Sequence, residues 1–288
     1  VGSEMCIRDS YWYISIKLIK LKQLMIFRFT STKSRLFQFS QVLISHIRIS
    51  LFFFIIAIVF QFEKLSSQTI NIDSLQLDDE IFSSGKYLIN RQYGLHSLDS
   101  SADQIDTIFV AVHGFGSRGF EWVYALRKMT ASNNKTYFYR WDWSQCPNQA
   151  SSTLYKQLRE LIISNPQIKH IKLFGHSYGG NVVTGISNKP NLGSIEIHSI
   201  AGALMPIDRH RKQCPNFNGF ENYELLYPHF QWRTVKDQDG AFRNMPFDPQ
   251  IVNIDGSTVV NLPPVFENGQ RLGHNWSLKW VFDKYFEK

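Results

Sequence analysis

Residues 171–187 read IKLFGHSYGGNVVTGIS, and this stretch decides the fold. Its mostly apolar first five residues predict a buried strand, and its last ten predict a helix that follows at once. Between them lies Ser177, flanked by Gly175 and Gly179 in a G-x-S-x-G pattern. On so tight a strand-to-helix turn, neighbouring backbone comes so close that only glycine fits at the positions flanking the serine. The turn exposes a nucleophilic hydroxyl at the carboxyl edge of a sheet, beside a helix N-terminus that favours negative charge.

A second glycine-containing loop reads HGFG at residues 113–116, directly after the apolar run TIFVAV at 107–112. We expect Gly114 and Gly116 to let this loop approach a substrate closely, and His113 to shape the loop rather than to act as a base. Neither the dinucleotide fingerprint nor the P-loop pattern surrounds these glycines. The loop therefore predicts backbone donors for a carbonyl oxygen rather than a phosphate site.

Two backbone N–H groups are candidates for an oxyanion hole. The N–H of Phe115 comes from the HGFG loop, and the N–H of Tyr178 comes from the turn after Ser177. Two donors aimed in advance at a developing oxyanion are a large source of catalysis in acyl transfer.

With HGFG after one strand and GHSYGG after another, the chain from about residue 101 onward resembles the α/β-hydrolase superfamily, in its lipase and esterase branch. The resemblance implies the chain order Ser, then Asp or Glu, then His. His274, in LGHNW ahead of a final helix, matches the histidine.

The acid is less clearly marked. The family often shows an acid followed two residues later by a small residue and then an apolar one, which favours Asp239 ahead of Phe242. Asp237 is the nearest rival, and Asp208 and Asp248 are further candidates. Each of these aspartates has the alternative of being an ordinary solvated turn residue.

The resemblance implies a serine hydrolase that cleaves a carboxylic ester, with lipids as one subclass, through an acyl-enzyme on Ser177. Two alternatives stay open: a non-catalytic binding protein with the same fold, and an amidase or peptidase that uses the same three residues. No metal or organic cofactor is expected, because the sequence has no HExxH, paired Cys-x-x-Cys or EF-hand pattern.

Strand-like and helix-like segments alternate along the chain, which predicts an α/β fold with a mostly parallel sheet and helices on both faces. The predicted strands are 107–112, 136–141, 171–175, 195–201 and 229–235. The predicted helices are 121–130, 151–164, 178–187 and 275–285.

Two further segments lie late in the chain. Residues 251–260, with Asp255-Gly256 between alternating apolar residues, predict a hairpin. Residues 204–228 predict a lid-like insertion over the site, too short to form a large cap domain.

The charge of the chain is concentrated at its start. Of a net charge of +7, residues 1–67 carry nine basic and three acidic residues, so the other 221 residues have a net charge of only +1. A nearly neutral body lacks the basic footprint of nucleic-acid binding, so the expected partner is a small ester or lipid substrate.

The basic N-terminal region contains the unbroken apolar run LFFFIIAIVF at 51–60. We expect residues 1–24 to be a non-native leader, 25–68 to be a secretory signal or signal-anchor, and 69–288 to form a single domain. The predicted location is therefore secreted or cell-envelope, with membrane contact through residues 51–60 if they are retained. In an exported protein Cys146 and Cys214, each in a Cys-Pro-Asn turn, could form a disulfide or remain two buried thiols.

Overall fold

The fold was analysed in a computed structural model that describes residues 69–99 and 104–287. The predicted leader, the signal segment and the apolar run at 51–60 lie outside the described residues. Within the described ranges, no helix combines the length and apolar character needed to cross a membrane.

In the described part of the chain, seven strands form one sheet in the order β1-β3-β2-β4-β5-β6-β7. Strand β1 at one edge pairs antiparallel with β3, and the remaining neighbours run parallel. The strands are β1 (Gly94–Ser97), β2 (Gln104–Val112), β3 (Asn134–Arg140), β4 (His170–His176), β5 (Ser194–Ile200), β6 (His229–Arg233) and β7 (Ser257–Asn261).

Helices cover both faces of the sheet. They are α1 (Ile81–Ile89), α2 (Phe120–Ala131), α3 (Pro147–Ser164), α4 (Tyr178–Thr184), α5 (Asp208–Gln213) and α6 (Gly273–Phe286). Alternate residues of β2 explain the two-sided burial: Phe109 packs in a core with α2 and α6, whereas Val110 packs in a second core with α3 and α4. Burial on both faces is why the strand sequences are continuously apolar.

The predicted fold class, a mostly parallel sheet with helices on both faces and a short insertion, is confirmed. Strand order, the antiparallel edge strand and the sharp turn at Ser177 together define the α/β-hydrolase fold, as the resemblance implied. The predicted strands and helices all form, with ends that differ by a few residues. Helices α1 and α5 and strand β1 are not among the predicted elements.

The predicted hairpin at 251–260 is wrong. Only Ser257–Asn261 is a strand, and it pairs in parallel with β6 at the edge of the sheet. The preceding apolar residues Val252 and Ile254 are instead buried against the insertion, so their alternation reflects packing and not a strand. Gly256, at φ 81°, makes the turn into β7.

The insertion at 204–228 forms its own small core and is tied to the main body. Helix α5 begins at Asp208, and a disulfide joins Cys214 at the end of α5 to Cys146 at the start of α3. Leu204, Phe217 and Phe220 pack together beside this bridge. The disulfide therefore connects the insertion to the segment that precedes α3.

Candidate active site

Ser177 occupies a strained turn between β4 and α4. Its φ of 56° and ψ of −122° lie outside the regions that non-glycine residues ordinarily adopt. The crowding around the turn explains the two glycines of the motif. A Cβ on Gly175 would lie 2.2 Å from the carbonyl oxygen of Gly179, and a Cβ on Gly179 would lie 2.2 Å from that of Val112.

The HGFG loop passes directly over Ser177. A Cβ on Gly114 would lie 2.8 Å from the Cβ and 3.3 Å from the Oγ of Ser177. Among the described residues, no group accepts a hydrogen bond from the backbone N–H of Phe115 or of Tyr178. Gly116 lies at φ 62°, where glycine is strongly favoured.

His113 is a buried structural residue of this loop. The backbone N–H of Trp141 donates to its Nε2 at 3.2 Å, and the indole N–H of Trp141 donates to its carbonyl oxygen at 2.8 Å. With Nε2 accepting, Nδ1 carries the proton and donates to the carbonyl of Gly114 at 3.0 Å. Burial lowers the pKa of His113 to about 3, so the ring stays neutral.

His274, in the first turn of α6, pairs with the carboxylate of Asp239. Its Nδ1 lies 2.9 Å from Oδ2 of Asp239, which leaves Nε2 free to accept a proton. The carboxylate of Asp239 is fully buried, and the side chain of His274 is only 14% exposed. The ring of Phe242 packs edge-on against the imidazole, with centroids 5.1 Å apart.

Four donors stabilise the charged form of Asp239. Besides His274, the hydroxyl of Thr234 donates to Oδ2 at 2.5 Å, and the N–H groups of Ala241 and Phe242 donate to Oδ1 at 2.8 and 3.2 Å. Burial alone would raise the pKa of Asp239, but these hydrogen bonds and the nearby imidazole outweigh it and hold the pKa below its usual value.

The other candidate acids lie elsewhere. The side chain of Asp237 is 90% exposed beside Lys236, and that of Asp208 is 84% exposed at the start of α5. Asp248 accepts hydrogen bonds from the backbone and side-chain amides of Gln250. Of the four aspartates, Asp239 alone contacts His274.

Ser177 and His274 line the same pocket, whose volume is about 260 Å³. Within the described residues their side chains are not hydrogen-bonded to each other, and such contacts are often long in enzymes without substrate. The other lining residues come from the HGFG loop and the residues that follow it, the start of α2, the end of β4 and the start of α6: Gly114, Phe115, Gly116, Ser117, Arg118, Phe120, Glu121, His176 and Asn275.

Sequence reasoning missed several residues of this site. Glu121 lines the pocket and accepts a hydrogen bond from the hydroxyl of Ser117, and its burial raises the pKa of its carboxyl. Gln250 is buried, and its side-chain amide accepts a hydrogen bond from the backbone N–H of Thr234 and donates one to the backbone carbonyl of Thr234. No local pattern signals either residue, because both contacts join segments that only the folded chain brings together.

His176, the residue before Ser177, was predicted only as part of the turn. It is buried, and its ring lies with its centroid 4.7 Å from that of His274. Burial, with a further contribution from His274, lowers the pKa of His176 to about 3.

The lid-like insertion does not line this pocket, but it contacts the HGFG loop. Arg209 of α5 lies over the ring of Phe115, and His210 stacks on the ring of Tyr178.

No protein-family model matches the sequence, and no curated protein shows significant similarity to it. Similar solved structures include Est1E from Butyrivibrio proteoclasticus with bound ferulic acid, which is 13% identical with a TM-score of 0.45 over 67% of this chain and 92% of that one. The Pyrococcus furiosus esterase Pf2001 is 11% identical, with a TM-score of 0.45 over 67% and 88% of the two chains. A dienelactone hydrolase from Anabaena variabilis is 15% identical, with a TM-score of 0.43 over 64% and 86%.

Proposed function

We propose that this protein is a serine hydrolase that cleaves a carboxylic ester through an acyl-enzyme. The observation that carries the proposal is the hydrogen bond between Asp239 and Nδ1 of His274, in a pocket that Ser177 also lines. An acid, an imidazole and a hydroxyl in this chain order are the parts of a Ser-His-Asp triad.

In the proposed mechanism, Nε2 of His274 takes the proton from Ser177 as the Ser177 oxygen attacks the substrate carbonyl. Asp239 keeps the proton of the imidazole on Nδ1 and stabilises the imidazolium without itself becoming protonated. The imidazolium then protonates the leaving alcohol. Water, activated by the same imidazole, attacks the acyl-enzyme and restores Ser177.

The oxyanion of each tetrahedral intermediate is stabilised by the N–H groups of Phe115 and Tyr178. Support for this role comes from the absence of another acceptor for either group within residues 69–99 and 104–287. The close approach of Gly114 to Ser177 also supports it, because it brings the HGFG loop to the nucleophile. Removal of one such donor in other enzymes lowers kcat by about 10²- to 10³-fold.

The size of the pocket supports a short acyl group. A volume of about 260 Å³ lies at the small end of the range of small-molecule pockets. A long lipid chain would have to extend beyond this space. We therefore expect acetyl and butyryl esters to be better substrates than long-chain esters.

The test is hydrolysis of p-nitrophenyl acetate, butyrate and decanoate by the wild type and by Ser177→Ala. The wild type should hydrolyse the short esters with a burst of p-nitrophenol, and Ser177→Ala should not. Equal rates for both proteins would refute the proposal. Ser177-dependent labelling by a fluorophosphonate without turnover of any ester would favour the amidase or peptidase alternative, whereas absence of labelling would favour the binding protein.

We also propose that the protein is exported. The disulfide between Cys146 and Cys214 supports this location, because such bonds persist mainly in oxidising compartments. The intact mass of the protein recovered from an exporting host would test it. Removal of the residues before about position 69 is expected, and a full-length mass would instead favour a retained anchor.

A further inference from the structure

Arg209 contacts both aromatic rings that belong to the proposed oxyanion donors. Its guanidinium carbon lies 3.6 Å from the ring centroid of Phe115 and 5.6 Å from that of Tyr178. Both distances are within the range of cation–π attraction. A single side chain of the insertion therefore reaches the two residues whose backbone N–H groups are the proposed oxyanion donors.

A hydrogen bond also holds the guanidinium of Arg209 in place. Its Nη2 donates a hydrogen bond to the carbonyl of Trp143 at 2.9 Å, and the ring of Trp143 packs edge-on against Phe115. The side chain of Arg209 is half-buried. An arginine held in this way is a rigid support and not a mobile surface group.

The backbone of the loop is held at Gly114, whose carbonyl accepts a hydrogen bond from His113, but the side chain of Phe115 at its tip has few contacts. Phe115 is 54% exposed, and it lies between Gly114 and Gly116, two residues with no side chain to anchor the backbone. Within the described residues, its ring contacts the guanidinium of Arg209 and the ring of Trp143. These ring contacts add to the hydrogen bond from His113 to Gly114 in fixing the direction of the Phe115 N–H.

Tyr178 is also held by side-chain contacts, one of them with α5. Its hydroxyl donates to the carbonyl of Gln145 at 2.9 Å, and its ring stacks on His210 with centroids 5.1 Å apart. Arg209 and His210 are consecutive residues of α5. One short helix therefore contacts the rings of both residues that carry the proposed donor N–H groups.

We propose that Arg209 is a positioning residue, which holds the Phe115 loop so that its N–H points at the oxyanion beside that of Tyr178. This inference rests on the proposed esterase function. It gives the insertion a catalytic purpose other than covering the substrate, because preorganised donors stabilise the transition state more than the ground state.

The experiment compares Arg209→Met with Arg211→Met. Arg211 lies on the same helix with the same charge, but its side chain is 61% exposed and faces Phe247. With a p-nitrophenyl ester, Arg209→Met should lower kcat about tenfold or more with little change in KM, a fraction of the loss for a whole donor. Its affinity for a trifluoromethyl ketone, which forms an oxyanion on the serine, should fall in parallel. Arg211→Met should behave as the wild type.

A double-mutant cycle with Phe115→Leu separates this role from a general structural one. Leucine keeps the backbone N–H but removes the aromatic face, so Phe115→Leu should show the same loss, and the double variant should lose little more than either single variant. Additive losses, or a change in KM alone, would overturn the proposal. If circular dichroism shows that Arg209→Met is unfolded, Phe115→Leu decides the question by itself, since it leaves α5 intact.

The wild type provides the remaining control. A wild type without activity on any ester would count against the proposed function. An active wild type with an equally active Arg209→Met would count against the role of Arg209 only.

Discussion

The imidazole of His176 donates a hydrogen bond from Nε2 to the backbone carbonyl oxygen of His274, 3.1 Å away. His176 directly precedes the proposed nucleophile, and His274 is the proposed base. The bond therefore connects the turn that carries Ser177 to the backbone of His274. Because burial lowers the pKa of His176 to about 3, this donor stays neutral and does not repel the imidazolium that would form on His274.

Replacement of His176 should reveal this connection. His176→Leu removes the donor and should lower kcat about tenfold, because small displacements of a base are costly in rate. His176→Gln retains an N–H at a similar distance and should recover most of the loss. Steady-state kinetics with a p-nitrophenyl ester would measure both. Equal activities for the two variants would show that the hydrogen bond has no part in positioning the base.

The two neighbouring aspartates offer a matched pair. Asp239→Asn should lower kcat by about 10⁴-fold, since an amide can no longer select the tautomer of His274 that has its proton on Nδ1. Asp237→Asn should leave kcat unchanged, because its side chain is exposed and is not in contact with His274. Rates measured at pH 7–8, with circular dichroism as a check on folding, would test the pair. A large loss in Asp237→Asn would contradict the assignment.

Loss of the disulfide should affect both stability and rate. The bridge closes a loop between residues 68 apart, and removal of a native disulfide typically costs about 2–5 kcal/mol of unfolding free energy. Cys146→Ser with Cys214→Ser should therefore unfold at a lower urea concentration. We also expect a fall in kcat at temperatures where the variant is folded. The disulfide anchors the end of α5, and α5 carries Arg209, so loss of the bridge should loosen the position of Arg209. If kcat is unchanged while stability falls, the disulfide stabilises the fold but has no part in positioning the oxyanion loop.

Four of the buried histidines in the described part of the chain predict how stability depends on pH. Burial lowers the pKa of His113 and His176 to about 3 and of His210 and His229 to about 4, whereas an unfolded chain titrates near 6.5. The unfolded state therefore binds protons first. Stability should be complete above about pH 6.5 and should fall as the pH drops towards 4, by up to about 1.4 kcal/mol per pH unit for each histidine.

Urea unfolding at pH 7.5 and pH 5 would measure this dependence. His229, which contacts Thr184 and Ser257, is a suitable position for a control. In His229→Gln the difference between the two pH values should shrink. A wild-type stability that is equal at both pH values would contradict the expectation that these rings are neutral in the folded state.

The sequence also left particular features undetermined, and their physical causes differ. The hairpin prediction failed because alternating apolar residues fit a strand and a segment packed on an insertion equally well, as at Val252 and Ile254. Edge strand β1 was missed because its four residues are too few to show a periodic pattern. The contacts of Glu121, Gln250 and Arg209 join residues that are distant in the chain.

By itself, the sequence determined the fold class and the turn at Ser177. Crowding at that turn is recorded in glycines two residues away on either side, although the Val112 carbonyl that crowds Gly179 comes from a neighbouring strand. Which aspartate meets His274 was decided only by the tertiary structure. Asp237 and Asp239 share one loop and one local sequence, but the fold leaves the first in water and surrounds the second with four hydrogen-bond donors. Three of those donors are local, and a local pattern favoured Asp239, but the partner that decides the assignment is His274, 35 residues further along the chain, and only the fold brings it to Asp239.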